Sequence, residues 1–166
     1  MTNKWLKVAL MAAAIATGTS IKIDAETVLY VPQDDRPVSL QYTVDTAREA
    51  GMTILTPPQN LISGKNYQGQ ADQIMAWVEQ NAGRADVMVL STDTLIYGGL
   101  VDSRKHNIPL STLESRLKRI ESLKARNKNV RIYGFGTVMR SPRASGGGTE
   151  PAYYAEYGPT IFQIAA

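Results

Sequence analysis

The sequence contains no cysteine and a single histidine, His106. The first absence excludes a disulfide scaffold, a thiol nucleophile, a lipid-anchored N-terminal cysteine and any cysteine-ligated zinc or iron–sulfur centre. The second excludes a three-histidine zinc site and an H-E-x-x-H helix within this chain. No N-x-S/T acceptor occurs, so nothing points to N-glycosylation. Several phosphate and nucleophile signatures are missing as well. Gly146–Gly148 is not followed by Lys-Ser/Thr, and Gly134-Phe135-Gly136 lacks the third glycine of a dinucleotide fingerprint. There is no G-x-S-x-G elbow.

What is present suits one globular domain. The chain has 166 residues, 43% of them hydrophobic and 20% charged. Its net charge of +3 comes from 18 basic and 15 acidic side chains. Setting aside residues 1–25, with Lys4, Lys7, Lys22 and Asp24, leaves 15 against 14. A nearly neutral body gives no support to a nucleic-acid partner.

Lys4 and Lys7 precede a nine-residue apolar run, Val8–Ala16, and a polar stretch from Thr17 to Ser20. This is the pattern of a secretory signal peptide over residues 1–25, with cleavage expected after Ala25. The run is too short to span a bilayer as a helix. The body, residues 26–166, is therefore expected in the periplasm, the cell envelope or the medium, with no membrane span after removal of the signal.

Residues 26–166 alternate strand and helix patterns. Thr27–Val31, Thr53–Leu55, Val87–Leu90 and Val130–Phe135 are short apolar runs that read as buried strands. Between them, Ser39 is expected to cap a helix running to about Ala50 with Gly51 as its stop, and Ala71, Ile74, Met75 and Val78 mark a second helix ending at Gly83. Ser91–Ile108 reads as a long loop. Ser111 and Glu114 are placed as a capping box for a third helix with Leu113, Leu117, Ile120 and Leu123 on one face and a solvated basic face around them. The expected fold class is α/β with a parallel sheet, either a doubly wound domain or the first half of a barrel. Past Gly136 the alternation breaks, through Ser141–Thr149 and a tyrosine-bearing stretch, into an apolar segment from Ile161. That ending reads as the N-terminal fragment of a longer protein.

In parallel α/β folds ligands bind at the carboxyl ends of the strands. Here those ends are polar and the opposite loops read as plain turns. Strand one leads into Asp34-Asp35-Arg36-Pro37. Strand three leads into Ser91-Thr92-Asp93, then Tyr97-Gly98-Gly99 and Asp102-Ser103-Arg104. Strand four leads into Thr137, Met139 and Arg140. Asp34, Asp35 and Asp93 are the candidate catalytic groups, since two carboxylates in unlike environments can divide acid and base roles, as in glycoside hydrolysis. The same carboxylates would suit a divalent cation through oxygen ligands. Arg36, Arg104 and Arg140 carry the guanidinium fork that matches carboxylates and phosphates, while Tyr97, Gly98 and Gly99 complete the candidate substrate-binding set. Each has a plainer alternative: Asp34 as a cap on the turn after the strand, Asp35 and Arg36 as a structural pair, Asp93 as a cap, and Tyr97-Gly98-Gly99 as a tight turn with a packed ring. The tyrosines at 153, 154 and 157 read as sugar-stacking rings or as core.

The ordered set Val31-Pro32-Gln33-Asp34-Asp35-Arg36-Pro37, Leu55-Thr56-Pro57-Pro58, Asp93 through Tyr97-Gly98-Gly99-Leu100-Val101, Ser103-Arg104 and Thr137-Val138-Met139-Arg140 resembles a bacterial family, domain of unknown function 4127. The stretch from Glu150 through Tyr153-Tyr154 to Tyr157-Gly158 is similar to it too. Gln33 departs from the family pattern, in which leucine is usual. The resemblance implies a grouping of these motifs and carries no activity. Together these readings lead to an expected hydrolase on a polar substrate such as a glycan or cell-envelope component, with a non-catalytic module for an anionic or sugar ligand as the alternative.

Overall fold

The computed structural model describes residues 25–138, 141–144 and 150–165. Residues 1–24 of the expected signal segment (1–25) lie outside them, as does Arg140. The β-branched runs form four strands, β1 (Thr27–Val31), β2 (Thr53–Leu55), β3 (Val87–Ser91) and β4 (Arg131–Phe135). All pair in parallel, in the order β2-β1-β3-β4. Leu29 lies beside Leu55 on one side and Met88 on the other, and Met88 beside Ile132.

The connections carry helices α1 (Gln41–Glu49), α2 (Ala71–Asn81) and, between β3 and β4, α3 (Thr92–Tyr97), α4 (Asp102–Lys105) and α5 (Leu110–Arg126). Helix α6 (Tyr154–Ala165) follows β4 and includes Pro159. The core gathers Leu29 and Val31 of β1, Met88 and Leu90 of β3, Ile74, Met75 and Val78 of α2, and Leu123 of α5. Strand residues alternate between faces, so α2 and α5 lie on one face of the sheet. The other face carries Val28, Tyr30, Val87 and Val89, which line a shared hollow of about 330 Å³ with Val44 and Ala47 of α1. Tyr133 of β4, on that side, is 56% exposed. The first half of a barrel would pair β2 with β3. Here β3 pairs with β1 and helices lie on both faces, so the sheet is doubly wound. The chain steps outward from β1 to β2, then crosses back to β3 and on to β4, which makes the gap between β1 and β3 the topological switch point.

Four local expectations are corrected. Helix α1 begins at Gln41 after Leu40, with no side-chain cap, and the Ser39 carbonyl instead accepts from the Tyr30 hydroxyl. Helix α5 begins at Leu110 after Pro109, so Ser111 lies inside its first turn and caps nothing. The Ser91–Ile108 stretch holds two helices. Ser91 Oγ accepts from the Thr94 N–H to start α3, and Gly98, at φ +105°, takes the left-handed turn that ends it. The stripe on α5 is also narrower than expected: Leu123 is buried while Leu117 is 46% exposed.

The basic face of α5 is only partly solvated. Arg116, whose side chain is 13% exposed, forks onto Asp72 of α2 at 3.1 and 2.6 Å and donates to the Ile96 carbonyl of α3 at 2.7 Å. Arg119 forks onto Glu79 at 3.2 and 2.9 Å. These guanidinium bonds hold the Asp72 and Glu79 carboxyls below the usual carboxylate range and fasten α5 to α2.

Candidate functional site

The chain leaves β1 through buried Pro32 and passes over the carboxyl ends of the sheet. There it meets the start of α3. Thr94, fully buried, donates its hydroxyl to the Pro32 carbonyl at 2.7 Å, with the Gln33 carbonyl 3.1 Å away. The Leu100 N–H also donates to the Gln33 carbonyl, at 3.3 Å. Asp93, 8% exposed, accepts at Oδ2 from the Gln33 side-chain amide at 3.0 Å and from the Thr137 N–H at 3.0 Å. The Gln33 amide also donates to the Thr137 hydroxyl. Thr92 donates to the Phe135 carbonyl at 3.0 Å. The exits of β1, β3 and β4 are thus joined at one rim, with Asp93 between them at the switch point.

The other candidate carboxylates sit on this rim with partners of their own. Asp34, 6% exposed, accepts from the Arg36 N–H at 3.2 Å and from the Arg36 guanidinium at 2.7 Å through both Nε and Nη2. The plainer reading pairs Arg36 with Asp35; Arg36 instead pairs with Asp34, although its side chain stays 53% exposed. The Asp35 N–H donates to the Ser63 carbonyl at 2.9 Å, and its carboxylate accepts from the Tyr67 hydroxyl. That bond, more than burial, pushes the Tyr67 hydroxyl up from its ordinary pKa. The three carboxylates share an edge, each on a separate partner. Among the described residues no three acidic or histidine side chains group as a metal ion requires.

Gly98 and Gly99 are used for close packing of the chain on itself. A Cβ on Gly99 would overlap Ser63 Oγ, and one on Gly69 would overlap the Gly98 carbonyl. Tyr97 packs its ring on His106, with centroids 4.7 Å apart at 33°. Arg104 keeps its Nε buried with no hydrogen-bond partner.

Two polar clefts open beside this rim, both bordered by α4. One, of about 320 Å³, lies between Lys65–Gln68 and Asp102 with Lys105. Burial raises the Asp102 carboxyl above its ordinary value, against the Gly69 N–H and the nearby Lys105 charge. The other, of about 590 Å³, lies between Arg104–Asn107 and Glu150–Tyr153. Residue-by-residue reading missed Thr94, Tyr67 and Ser63, and it names Gln33 only as a departure from the family pattern. Only Gln33 carried a signal, as a polar residue directly following a buried strand and its proline.

Residues 28–166 match a family model described as Protein of unknown function (DUF4127). No curated protein and no solved structure matches the chain.

Proposed function

The chain belongs to the DUF4127 family, and we propose that it is a secreted or periplasmic hydrolase acting on a polar substrate, a glycan or another cell-envelope component, at the rim over the carboxyl ends of its strands. The observation that carries this reading is the knot at Asp93. A nearly buried carboxylate stands at the switch point, where doubly wound folds take their ligands, and two donors from β1 and β4 exits fall on one of its oxygens. Those donors hold the carboxylate in one position, which suits a base or a charge-stabilising group.

Asp35 is the second carboxylate of the pair, with the Tyr67 hydroxyl as its proton-bearing neighbour. Unlike surroundings let two carboxyls divide acid and base work. Asp34 keeps Arg36 in place, and the exposed end of that guanidinium, with Arg104 and Arg140, orients an anionic part of the substrate. Tyr97, Gly98 and Gly99 shape the rim floor. Lys4, Lys7 and the run Val8–Ala16 support export. Among the described residues no helix is long and apolar enough to cross a membrane.

One observation favours a second reading, a non-catalytic module for an anionic or sugar ligand: the three acidic side chains each have separate partners. A thermal-shift screen with cell-envelope glycans finds ligands for either, since a ligand of the folded state raises the melting point. Asp93→Asn then separates them. Turnover lost with binding retained supports the hydrolase. Equal loss of binding, with no turnover in the unaltered chain, supports the module.

A further inference from the structure

We propose that the cleft between α4 and the start of α6 is a subsite for an acidic sugar, with its carboxylate held by Arg104 and Lys105 and its ring laid on Tyr153. This names a substrate class for the reading above and rests on it. The cleft, of about 590 Å³, has the size of small-ligand sites. One wall presents Arg104 and Lys105, followed by His106, whose ring is steadied by Tyr97. Arg104 Nε is buried without a hydrogen-bond partner, so this guanidinium is not held by a full set of acceptors among the described residues. A guanidinium meets a carboxylate through two parallel bonds, so the ligand's anion is a good match for this group.

The opposite wall supplies the rest of a sugar site. Tyr153 and Tyr154 are adjacent but opposite in use: Tyr154 is 7% exposed and donates to the Pro142 carbonyl at 2.9 Å, whereas Tyr153 is 55% exposed on the cleft. An outward aromatic face offers a flat apolar platform for the C–H side of a pyranose ring. Glu150, on the same wall, is an acceptor suited to sugar hydroxyls. Two cations, one acid and one aromatic face fit a ring carrying a single negative charge better than a polyphosphate.

Isothermal titration of the full chain with trigalacturonate, with neutral maltotriose and with inorganic phosphate tests this. Trigalacturonate is expected to bind in the micromolar to millimolar range and maltotriose at least about tenfold more weakly. Arg104→Gln is expected to weaken trigalacturonate binding about tenfold, and Tyr153→Ala several-fold, at unchanged melting temperature. Arg104→Lys, which keeps the charge without the fork, should fall between. No binding of trigalacturonate, equal binding of maltotriose, phosphate binding as tightly as the sugar acid, or an unaltered Kd in both Arg104→Gln and Tyr153→Ala would each overturn the proposal. So would an Asp93→Asn loss as large as that of Arg104→Gln, which would move the ligand onto the rim. Arg104-dependent binding without turnover in any assay leaves this subsite standing and sinks only the hydrolase reading.

Discussion

The side-chain amide of Gln33 donates to the carboxylate of Asp93 across 3.0 Å, joining residues sixty positions apart at the exits of β1 and β3. A bond to a charged group contributes about 1.5–3 kcal/mol when well formed, and this one is shielded, with Asp93 only 8% exposed. Gln33→Leu is expected to cost about 1–2 kcal/mol in urea unfolding. Gln33→Glu should cost more, because it sets two carboxylates face to face. If Gln33→Glu proves no worse than Gln33→Leu, the amide is not holding Asp93 in solution.

Thr94 grips the same knot from below. Its buried hydroxyl reaches the Pro32 carbonyl at 2.7 Å, so Thr94→Val keeps the shape and strands that acceptor. A loss of about 1–3 kcal/mol is expected, together with faster amide exchange at Leu100, whose N–H bonds the neighbouring Gln33 carbonyl. Denaturant melts and hydrogen exchange measure the two effects.

The glycines divide sharply. Gly99→Ala would drive a methyl group into Ser63 Oγ, and Gly69→Ala would drive one into the Gly98 carbonyl, where backbone must move. Each should destabilise by about 1–3 kcal/mol, and Gly69→Ala more than Gly99→Ala, since a side chain yields more readily than backbone. Gly83 has open space around it and no positive φ. Gly83→Ala is expected to be neutral or slightly stabilising, and differential scanning calorimetry ranks all three.

Acid should loosen the α2–α5 seam. The Asp72 and Glu79 carboxyls are depressed first by the guanidinium bonds from Arg116 and Arg119. A depressed folded value means that the stability these pairs contribute is fully present above the unfolded carboxylate pKa, about 4, and disappears as pH falls through the folded values. Asp102 runs the other way: burial raises it, so its share of stability declines as pH rises past the unfolded value. Melting temperatures between pH 3 and pH 6 are expected to fall toward acid, and Glu79→Gln should flatten that slope. Asp72 is 60% exposed, so Asp72→Asn should flatten it less.

Much of the fold is legible in the chain because buried strands write themselves as β-branched apolar runs and helices as apolar stripes. Thr27–Val31 and Val87–Ser91 carry that signal within five residues each. The order of strands does not, since β1 accepts β2 and β3 as neighbours through crossovers set by packing on opposite faces. Helix α3 escaped because its six residues, Thr92–Tyr97, are too few for a periodic stripe, and its stability comes from the Ser91 cap and the Gly98 turn. At the site, Asp93 was marked by its place after a strand. The sequence offers Asp35 as the partner of Arg36, and the pairing with Asp34 instead rests on a two-residue geometry that the sequence does not display. The bond from Gln33 to Asp93 has no local signature at all, because nothing near either residue encodes the other.

The lacing over the strand ends terminates repeatedly on main-chain oxygens, those of Pro32, Gln33, Ser63 and Phe135. Every amino acid supplies such an oxygen. At Pro32, Ser63 and Phe135 the side chain can therefore change without removing the acceptor that the rim uses. A framework of that kind ties the strand exits together independently of the side chains carried at those three positions.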